Sequence, residues 1–259
     1  MFRIRGVFLG IALILLSLIS LQGCAQGVKQ YKLKVIESYA HDRGAYTQGL
    51  FFHEGKFYES CGQYGQSTFR INELKTGRVL RRLDFDPKYF VEGSCILDGR
   101  IYILTWKEHK CFVYDAESWK YLGSLPYYTE GWGLTTNGKE LIMSDGSATL
   151  SFLDPMTFAV KKRITVTENK RNILFLNELE YINGDIWCNI YGEDRIVIVS
   201  ETDGKVKGSV DCKGLLPYSL RKRETDVLNG IAYNPADSTL WLTGKYWPKL
   251  YKVEIEEKK

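Results

Sequence analysis

The sequence predicts an all-β fold, a five-bladed β-propeller of four-stranded antiparallel blades over about residues 29–259. Three observations carry this. A strand–turn–strand unit recurs five times with a period of roughly 40 to 50 residues, the spacing of propeller blades. Helix signals are nearly absent along the 259 residues. The fifth unit ends one strand short, while an unassigned strand stands before the first unit.

That leading strand, Tyr31-Lys32-Leu33-Lys34-Val35-Ile36, alternates apolar and polar residues, as a half-buried strand does. Each hairpin then turns at a polar pair: Glu54-Gly55, Asp98-Gly99, Asn137-Gly138 and Asn183-Gly184. The fifth turn is longer, Asn234-Pro235-Ala236-Asp237. The second strands are expected at 57–61, 101–105, 141–145, 186–190 and 240–244, and the third at 68–71, 111–114, 150–153, 195–199 and 250–253. Four units continue into a fourth strand, as at 77–80 and 121–124. If residues 31–36 supply the missing strand of the last unit, the ring closes and leaves no open edge. Residues 177–180 could pass for a helical turn, but the repeat makes them the start of a strand. The basic stretch 161–163 and the loop 213–223 read as solvated surface.

In a propeller, first strands line the central channel. Their starts, Gln48, Glu92, Trp132, Asn177 and Asn229, should share one face with the ends of their partners, Gly62, Trp106, Gly146, Tyr191 and Lys245. Residues equidistant from a hairpin turn lie side by side, so Glu92 is expected opposite Trp106. An acid, a base, amides and large aromatics in an otherwise repeated slot point to a site. A satisfied polar plug in the channel mouth is the alternative.

The formal charge is +4, or +2 without the first 23 residues, which carry Arg3, Arg5 and no acid. This bears on solubility and gives no hint of nucleic acid. Residues 1–23 read as a lipoprotein-type signal peptide: a basic start, an apolar run from Val7 to Leu21, and the box Leu21-Gln22-Gly23-Cys24. The run is short for a membrane span. Lipidation of Cys24, a linker over 24–28 and an exported, anchored protein are expected, whichever membrane holds it. An ordinary signal peptide with a chance cysteine is the alternative. Five cysteines remain, Cys61, Cys95, Cys111, Cys188 and Cys212. They lack metal-type spacing and read as small buried residues, with room for one unassigned disulfide.

Several ordered motifs now resemble one family. They are Tyr46-Thr47-Gln48-Gly49-Leu50, Glu59-Ser60 with Tyr64-Gly65-Gln66-Ser67, Glu130-Gly131-Trp132-Gly133-Leu134-Thr135, and Ser144-Asp145-Gly146-Ser147. Leu176-Asn177-Glu178-Leu179-Glu180-Tyr181, Leu228-Asn229-Gly230-Ile231 and Thr243-Gly244-Lys245-Tyr246-Trp247-Pro248-Lys249-Leu250 complete the set. Together they resemble the plant- and bacterial-type glutaminyl cyclotransferases over nearly all of residues 35–253. That family is a five-bladed propeller, unrelated to the zinc-dependent animal enzymes. The resemblance implies conversion of N-terminal glutamine on a peptide or protein to pyroglutamate, with release of ammonia and no metal or other cofactor. It places the catalytic glutamate on Glu92 and the active-site tryptophans on Trp106 and Trp132. Substrate contacts fall on Gln48, Asn177 and Lys245. One further pocket position, usually tryptophan, is Tyr191 here, which bears on substrate preference more than on the reaction.

The chemistry suits these residue types. The α-amine must be neutral to attack its own side-chain carbonyl, which a pKa near ~7.7–8.0 allows. One carboxylate can take the amine proton and return it to the departing ammonia. A glutamate walled by indoles would be desolvated and its pKa raised. Lys245, Asn177, Gln48 or an indole N–H could meet the developing oxyanion. Glu92 as a salt-bridge partner of Lys245, and the two tryptophans as core packing, are the bland readings. Asn229 reads as closing a turn, Glu178 and Glu180 as structural, and Asp145 and Ser147 as bonding backbone between strands. His41, His53 and His109 are scattered and expected to have no role. The expected partners are a Gln-initiated peptide and, through the lipid only, a membrane; the chain is expected to act as a monomer. Competing classes are a propeller that binds a peptide end or sugar without turnover, and a metal-dependent hydrolase. The latter would need a carboxylate-rich mouth, whereas one carboxylate occupies the ten positions.

Overall fold

The computed structural model describes residues 27–259; the signal-peptide and Cys24 expectations lie outside these residues. The described chain is almost entirely β. It opens with β1 (Lys29–Ala40) and then lays down four-stranded antiparallel units. The first unit is β2 (Thr47–His53), β3 (Lys56–Cys61), β4 (Thr68–Asn72) and β5 (Val79–Asp84). The second is β6 (Val91–Leu97), β7 (Arg100–Thr105), β8 (Lys110–Asp115) and β9 (Tyr121–Pro126). The third is β10 (Leu134–Thr136), β11 (Leu141–Ser144), β12 (Thr149–Leu153) and β13 (Val160–Thr165). A two-stranded ribbon, β14 (Thr167–Glu168) and β15 (Arg171–Asn172), follows.

The remaining strands form one eight-stranded sheet. One half is β16 (Leu176–Ile182), β17 (Asp185–Ile190), β18 (Arg195–Ser200) and β19 (Val206–Asp211). The other half is β20 (Leu228–Asn234), β21 (Thr239–Gly244) and β22 (Lys249–Glu257), with β1 antiparallel to β22 from Tyr31↔Glu257 to Ala40↔Lys249. The leading strand therefore completes the last unit. Its first residues also pair in parallel with β19, from Lys29↔Gly208 to Lys32↔Asp211, which fuses the two halves. The hydrophobic pattern of residues 31–36 gave no sign of this second partner. First strands touch in sequence, β2 to β6, β6 to β10, β10 to β16, β16 to β20, and β20 back to β2.

Inner strands are mostly buried, β6 throughout, and the fourth strands β5, β9 and β13 face solvent; β19, paired with β1, is mostly buried. The core lies between neighbouring sheets. Phe51, Phe69, Ile101, Ile103 and Phe112, for example, form one cluster between the first two units. Burial of a side chain such as Phe69 stabilises by about 1.5–3 kcal/mol. The loop expected to be solvated at 213–223 corrects the sequence reading in part. Leu215 and Leu216 are buried in the last core cluster, followed by a single 3₁₀ turn, Tyr218–Leu220. Two adjacent leucines in a basic loop are anchors, and their neighbours' charge hid them.

Where the chain's two ends meet, a polar cluster ties the first and last units. His41 follows β1; its Nδ1 donates to the Trp247 carbonyl at 2.8 Å, and its Nε2 meets Glu59 Oε1 at 3.0 Å. Thr47 Oγ1 and Asn72 Nδ2 also donate to Glu59, each at 2.7 Å. Burial pushes the Glu59 carboxyl up, but His41, Arg70 and Thr47 overcome it and hold it down to about 2. His41, expected to have no role, is a buried structural imidazolium; burial lowers its pKa and Glu59 raises it further. All five described cysteines are buried and unpaired, so the small-apolar reading fits and no disulfide forms among them.

Candidate active site

All seven predicted pocket residues converge. Gln48, Glu92, Trp106, Trp132, Asn177, Tyr191 and Lys245 line one cavity of about 200 Å³, joined by Tyr46 and Phe90. Of the other ring positions, Asn229 sits behind the cavity and orients a member of it. Its Nδ2 donates to Thr47 O at 2.9 Å and Gln48 Oε1 at 3.3 Å.

Local backbone explains how these side chains reach the axis, and it differs from the simple hairpin expectation. Trp106 pairs with Phe90, its N–H donating to the Phe90 carbonyl at 2.8 Å, rather than with Glu92. Between Val91 and Ser94 the register slips by one residue, so Glu92 lies in a β-bulge. The same slip occurs around Gln48, Asn177 and Asn229. At the third unit, Trp132 N donates to Ser144 O while Ser144 N donates to Gly133 O, so two residues again face one. A bulge bends the strand and re-aims its side chain. Each of the five starts therefore turns inward. A glycine follows it at 49, 93, 133 and 230, a sequence signal that could have marked the bulges. At the start of the fourth unit, Glu178 stands instead. Its carboxylate accepts from Leu50 N at 3.2 Å and Ile231 N at 2.8 Å, bracing two other inner strands. Glu180 does likewise for Tyr233 N at 2.9 Å, so both have the structural place expected of them. Asp145 and Ser147 bond within their loop, also as expected.

The two glycines in the second column make room for aromatics, Gly62 for one of the next unit and Gly146 for one of its own. A Cβ on Gly62 would sit 2.3 Å from the Phe90 ring, and one on Gly146 2.7 Å from the Trp132 ring. Trp132 in turn meets Tyr191 edge-on, with centroids 5.7 Å apart.

Electrostatics single out one acid and one base. Glu92 is 4% exposed, and its one side-chain donor is the neutral amide of Gln48, at 3.1 Å. Burial pushes its carboxyl well above the usual range; Lys245 draws it back, while Glu130 and Glu108 push it further up. Lys245 is 3% exposed. Burial pulls its ammonium below the usual lysine range, opposed by Glu92 and Asp226. Its Nζ lies 4.6 Å from the Tyr46 ring centroid and 5.2 Å from that of Tyr191, a two-sided aromatic cradle. Tyr46 is held by its hydroxyl, which donates to Asp226 at 3.2 Å. Among the described residues neither Lys245 Nζ nor the Asn177 amide has a hydrogen-bond partner, so both can serve a ligand. Both indole N–H groups are engaged: Trp106 Nε1 and Trp132 Nε1 donate to Glu130 Oε2 at 2.7 and 3.0 Å.

Sequence reasoning missed Tyr46, Phe90, Glu130 and Asp226. Tyr46 and Glu130 stood inside quoted motifs, but nothing in their spacing marked them. Among the described residues, no group of three or more His, Cys, Asp or Glu side chains is placed to hold a metal ion.

Comparison with known proteins agrees with this geometry. Residues 9–255 match the family model described as glutamine cyclotransferase. The chain is 37% identical over 230 residues to a glutaminyl-peptide cyclotransferase of Arabidopsis thaliana, covering 87% of this chain and 72% of that one. Its fold superposes on the crystal structure of Myxococcus xanthus glutaminyl cyclase with a TM-score of 0.83, at 32% identity. The match covers 90% of this chain and all of that one. With the pocket residues in register with the motifs that first pointed there, the chain belongs to the glutamine cyclotransferase family.

Proposed function

We propose that this chain is a glutaminyl-peptide cyclotransferase, in which Glu92 is the general acid and base. The observation that carries the reading is the cavity itself. A buried carboxyl with a raised pKa and a buried ammonium, unpartnered among the described residues, line one cavity with aromatic walls. An N-terminal glutamine folds so that its α-amine meets its own Cδ. Ring closure within one molecule makes orientation a large part of the gain. As the new C–N bond forms, Glu92 takes a proton from the amine; as the old C–N bond breaks, it returns that proton to the leaving NH₂, and ammonia departs. The carbonyl oxygen gains charge in between. The indoles are bonded to Glu130 and one of the two Gln48 N–H groups to Glu92; Lys245 and Asn177, with every donor free among the described residues, are the proposed oxyanion donors. These steps use protein groups alone, and the reaction is proposed to need no metal.

The ring of inner strands, closed by β20 on β2, supports a five-bladed propeller as the architecture that assembles this pocket. We further propose that the mature chain is a monomer, exported and held to a membrane by lipid on Cys24, with a domain over about residues 29–259. Mass spectrometry of a Gln-Xaa peptide incubated with residues 25–259, with and without EDTA, tests the activity. Loss of ammonia in both is expected; an unchanged peptide mass would rule the reading out. A Cys24→Ser variant should move the protein from the membrane to the soluble fraction, and unchanged fractionation would count against the anchor.

A further inference from the structure

Glu130 stands at the rim of the cavity, two residues before Trp132, on the segment between β9 and β10. One of its oxygens accepts both indole N–H groups, from Trp106 at 2.7 Å and Trp132 at 3.0 Å. Its other oxygen lies 3.8 Å from Lys107 Nζ, which itself sits 3.8 Å over the Trp106 ring. The two tryptophans come from different units, so this carboxylate joins their side chains across the boundary between units. The segment that carries it is fixed from below. Gly131 N donates to Trp106 O at 3.0 Å, and a Cβ on Gly131 would collide with the Tyr127 hydroxyl. That hydroxyl bonds the backbone of Thr105, the residue before Trp106. An indole has one donor and no acceptor, so a shared acceptor sets the turn of both rings at once. A carboxylate is the stronger choice, because a charged acceptor makes the stronger bond.

We propose that Glu130 is a positioning residue for the cyclisation: it clasps Trp106 and Trp132 as a pair and sets the width of the slot that holds the folded glutamine side chain. The inference rests on the proposed activity and assigns Glu130 no contact with substrate. A looser slot binds the attack conformer less well, so loss of the clasp falls on KM more than on kcat. Its charge has a second effect. The groups that face Glu92 are Lys245, Glu130 and Glu108 by charge, and Gln48 by hydrogen bond. Removing the Glu130 charge lowers the Glu92 pKa toward the ordinary carboxylate range.

Three variants separate reach from charge. Glu130→Gln keeps an acceptor at the same reach and loses the charge. Glu130→Asp keeps the charge and withdraws the acceptor by one methylene. Glu130→Ala loses both. Steady-state kinetics on a Gln-Xaa peptide should give a KM raised about tenfold for Asp and Ala, and within about threefold of the parent for Gln. The acid limb of kcat/KM should move to lower pH in Gln and stay in Asp. Near-UV circular dichroism should lose indole signal in Asp and Ala and keep it in Gln. If Ala fails to fold, the Asp and Gln pair decides alone. Parental KM in Asp, or an equal defect in Asp and Gln, would overturn the clasp. If the parent releases no ammonia, the activity reading fails instead, and the dichroism of Asp against Gln still tests the clasp.

Discussion

Glu92 and Glu59 are the same side chain at nearly the same depth, 4% and 0% exposed, and the fold treats them in opposite ways. Glu59 has three side-chain donors, one of them a buried imidazolium, and its carboxyl is held down to about 2. Glu92 has one donor, a neutral amide, and burial pushes its carboxyl far up. Its cation, Lys245, stands in an aromatic cradle rather than in contact. Depth alone therefore does not set a carboxylate's proton affinity. Saturation does: donors and a cation hold the Glu59 carboxyl down, while burial with few donors raises that of Glu92, as it raises that of the structural Glu180, and a place in the cavity is what sets Glu92 apart.

The sharpest way to break this comparison is to make both sites amides. Glu92→Gln is expected to lose about 10²–10⁴ in kcat, because the proton carrier is gone. It should leave the urea midpoint at neutral pH unchanged or higher, because a carboxyl whose ionisation burial penalises is replaced by a neutral amide. Glu59→Gln is expected to do the reverse. It strands His41, costs about 3 kcal/mol of stability, and leaves kcat of the folded fraction near parental. Wild-type turnover in Glu92→Gln would end the acid–base assignment. Equal stability losses in the two variants would end the contrast.

Lys245 comes next. Lys245→Met keeps the stem in its aromatic cradle and removes the ammonium. As an oxyanion donor, its loss should lower kcat by about 10²–10³. It also removes the charge that draws the Glu92 carboxyl down, so the acid limb of kcat/KM should move to higher pH. A rate loss with a fixed acid limb would mean that the two groups do not share a field.

The contrast also sets stability against pH. Glu59 is depressed, so its contribution is present above about pH 4.5 and fades as pH falls toward about 2. His41 is raised, so its contribution fades as pH rises past its folded pKa, above 6.5. Glu180, buried without a cation, is pushed up to about 8, and Glu92 and Glu178 are raised as well. Their neutral forms are accommodated, and stability is lost as pH rises through those values. Thermal melting across pH 3–9 should peak between about pH 4.5 and 6.5. Glu92→Gln should flatten the alkaline side and leave the acid side alone. A melting temperature that climbs from pH 6 to pH 8 would contradict both shifts.

What was legible in the sequence follows from which interactions are local. The second strands and tight turns were, because alternation and pairs such as Asp98-Gly99 act within a hairpin. Convergence of Gln48, Glu92, Asn177 and Lys245 was, because the repeat fixes where each unit points. The bulges were not: a one-residue slip leaves the hydrophobic pattern on the second strand intact and moves only the partner at the start of the first. The register of Leu97↔Arg100 would set Trp106 against Val91, and the slip moves its partner to Phe90. Glu130 and the His41–Glu59 pair were hidden for another reason. Glu130 joins Trp106 to Trp132 across two neighbouring units, and Glu59 meets His41 just ahead of the first unit; packing between elements makes both contacts, and no local pattern marks them.

The finest edge of the comparison is Tyr191, the departure from the tryptophan expected by resemblance. It is 41% exposed, packs edge-on to Trp132 and offers its face to Lys245 at 5.2 Å. Tyr191→Trp enlarges that face and strengthens the attraction for the ammonium. The larger ring adds a part of a desolvated cation–π contact, about 0.5–1 kcal/mol, so the change in kcat/KM should be about two- to fivefold. The wider ring also leans over the mouth, where the residue after glutamine must pass. The effect should therefore depend on that residue, larger for bulky than for small ones, while the pH profile stays put because no charge is added or removed. A shift of the acid limb in Tyr191→Trp would mean that the aromatic wall tunes the Glu92–Lys245 pair itself. The boundary between walls that shape the slot and groups that set its proton affinity would then lie elsewhere.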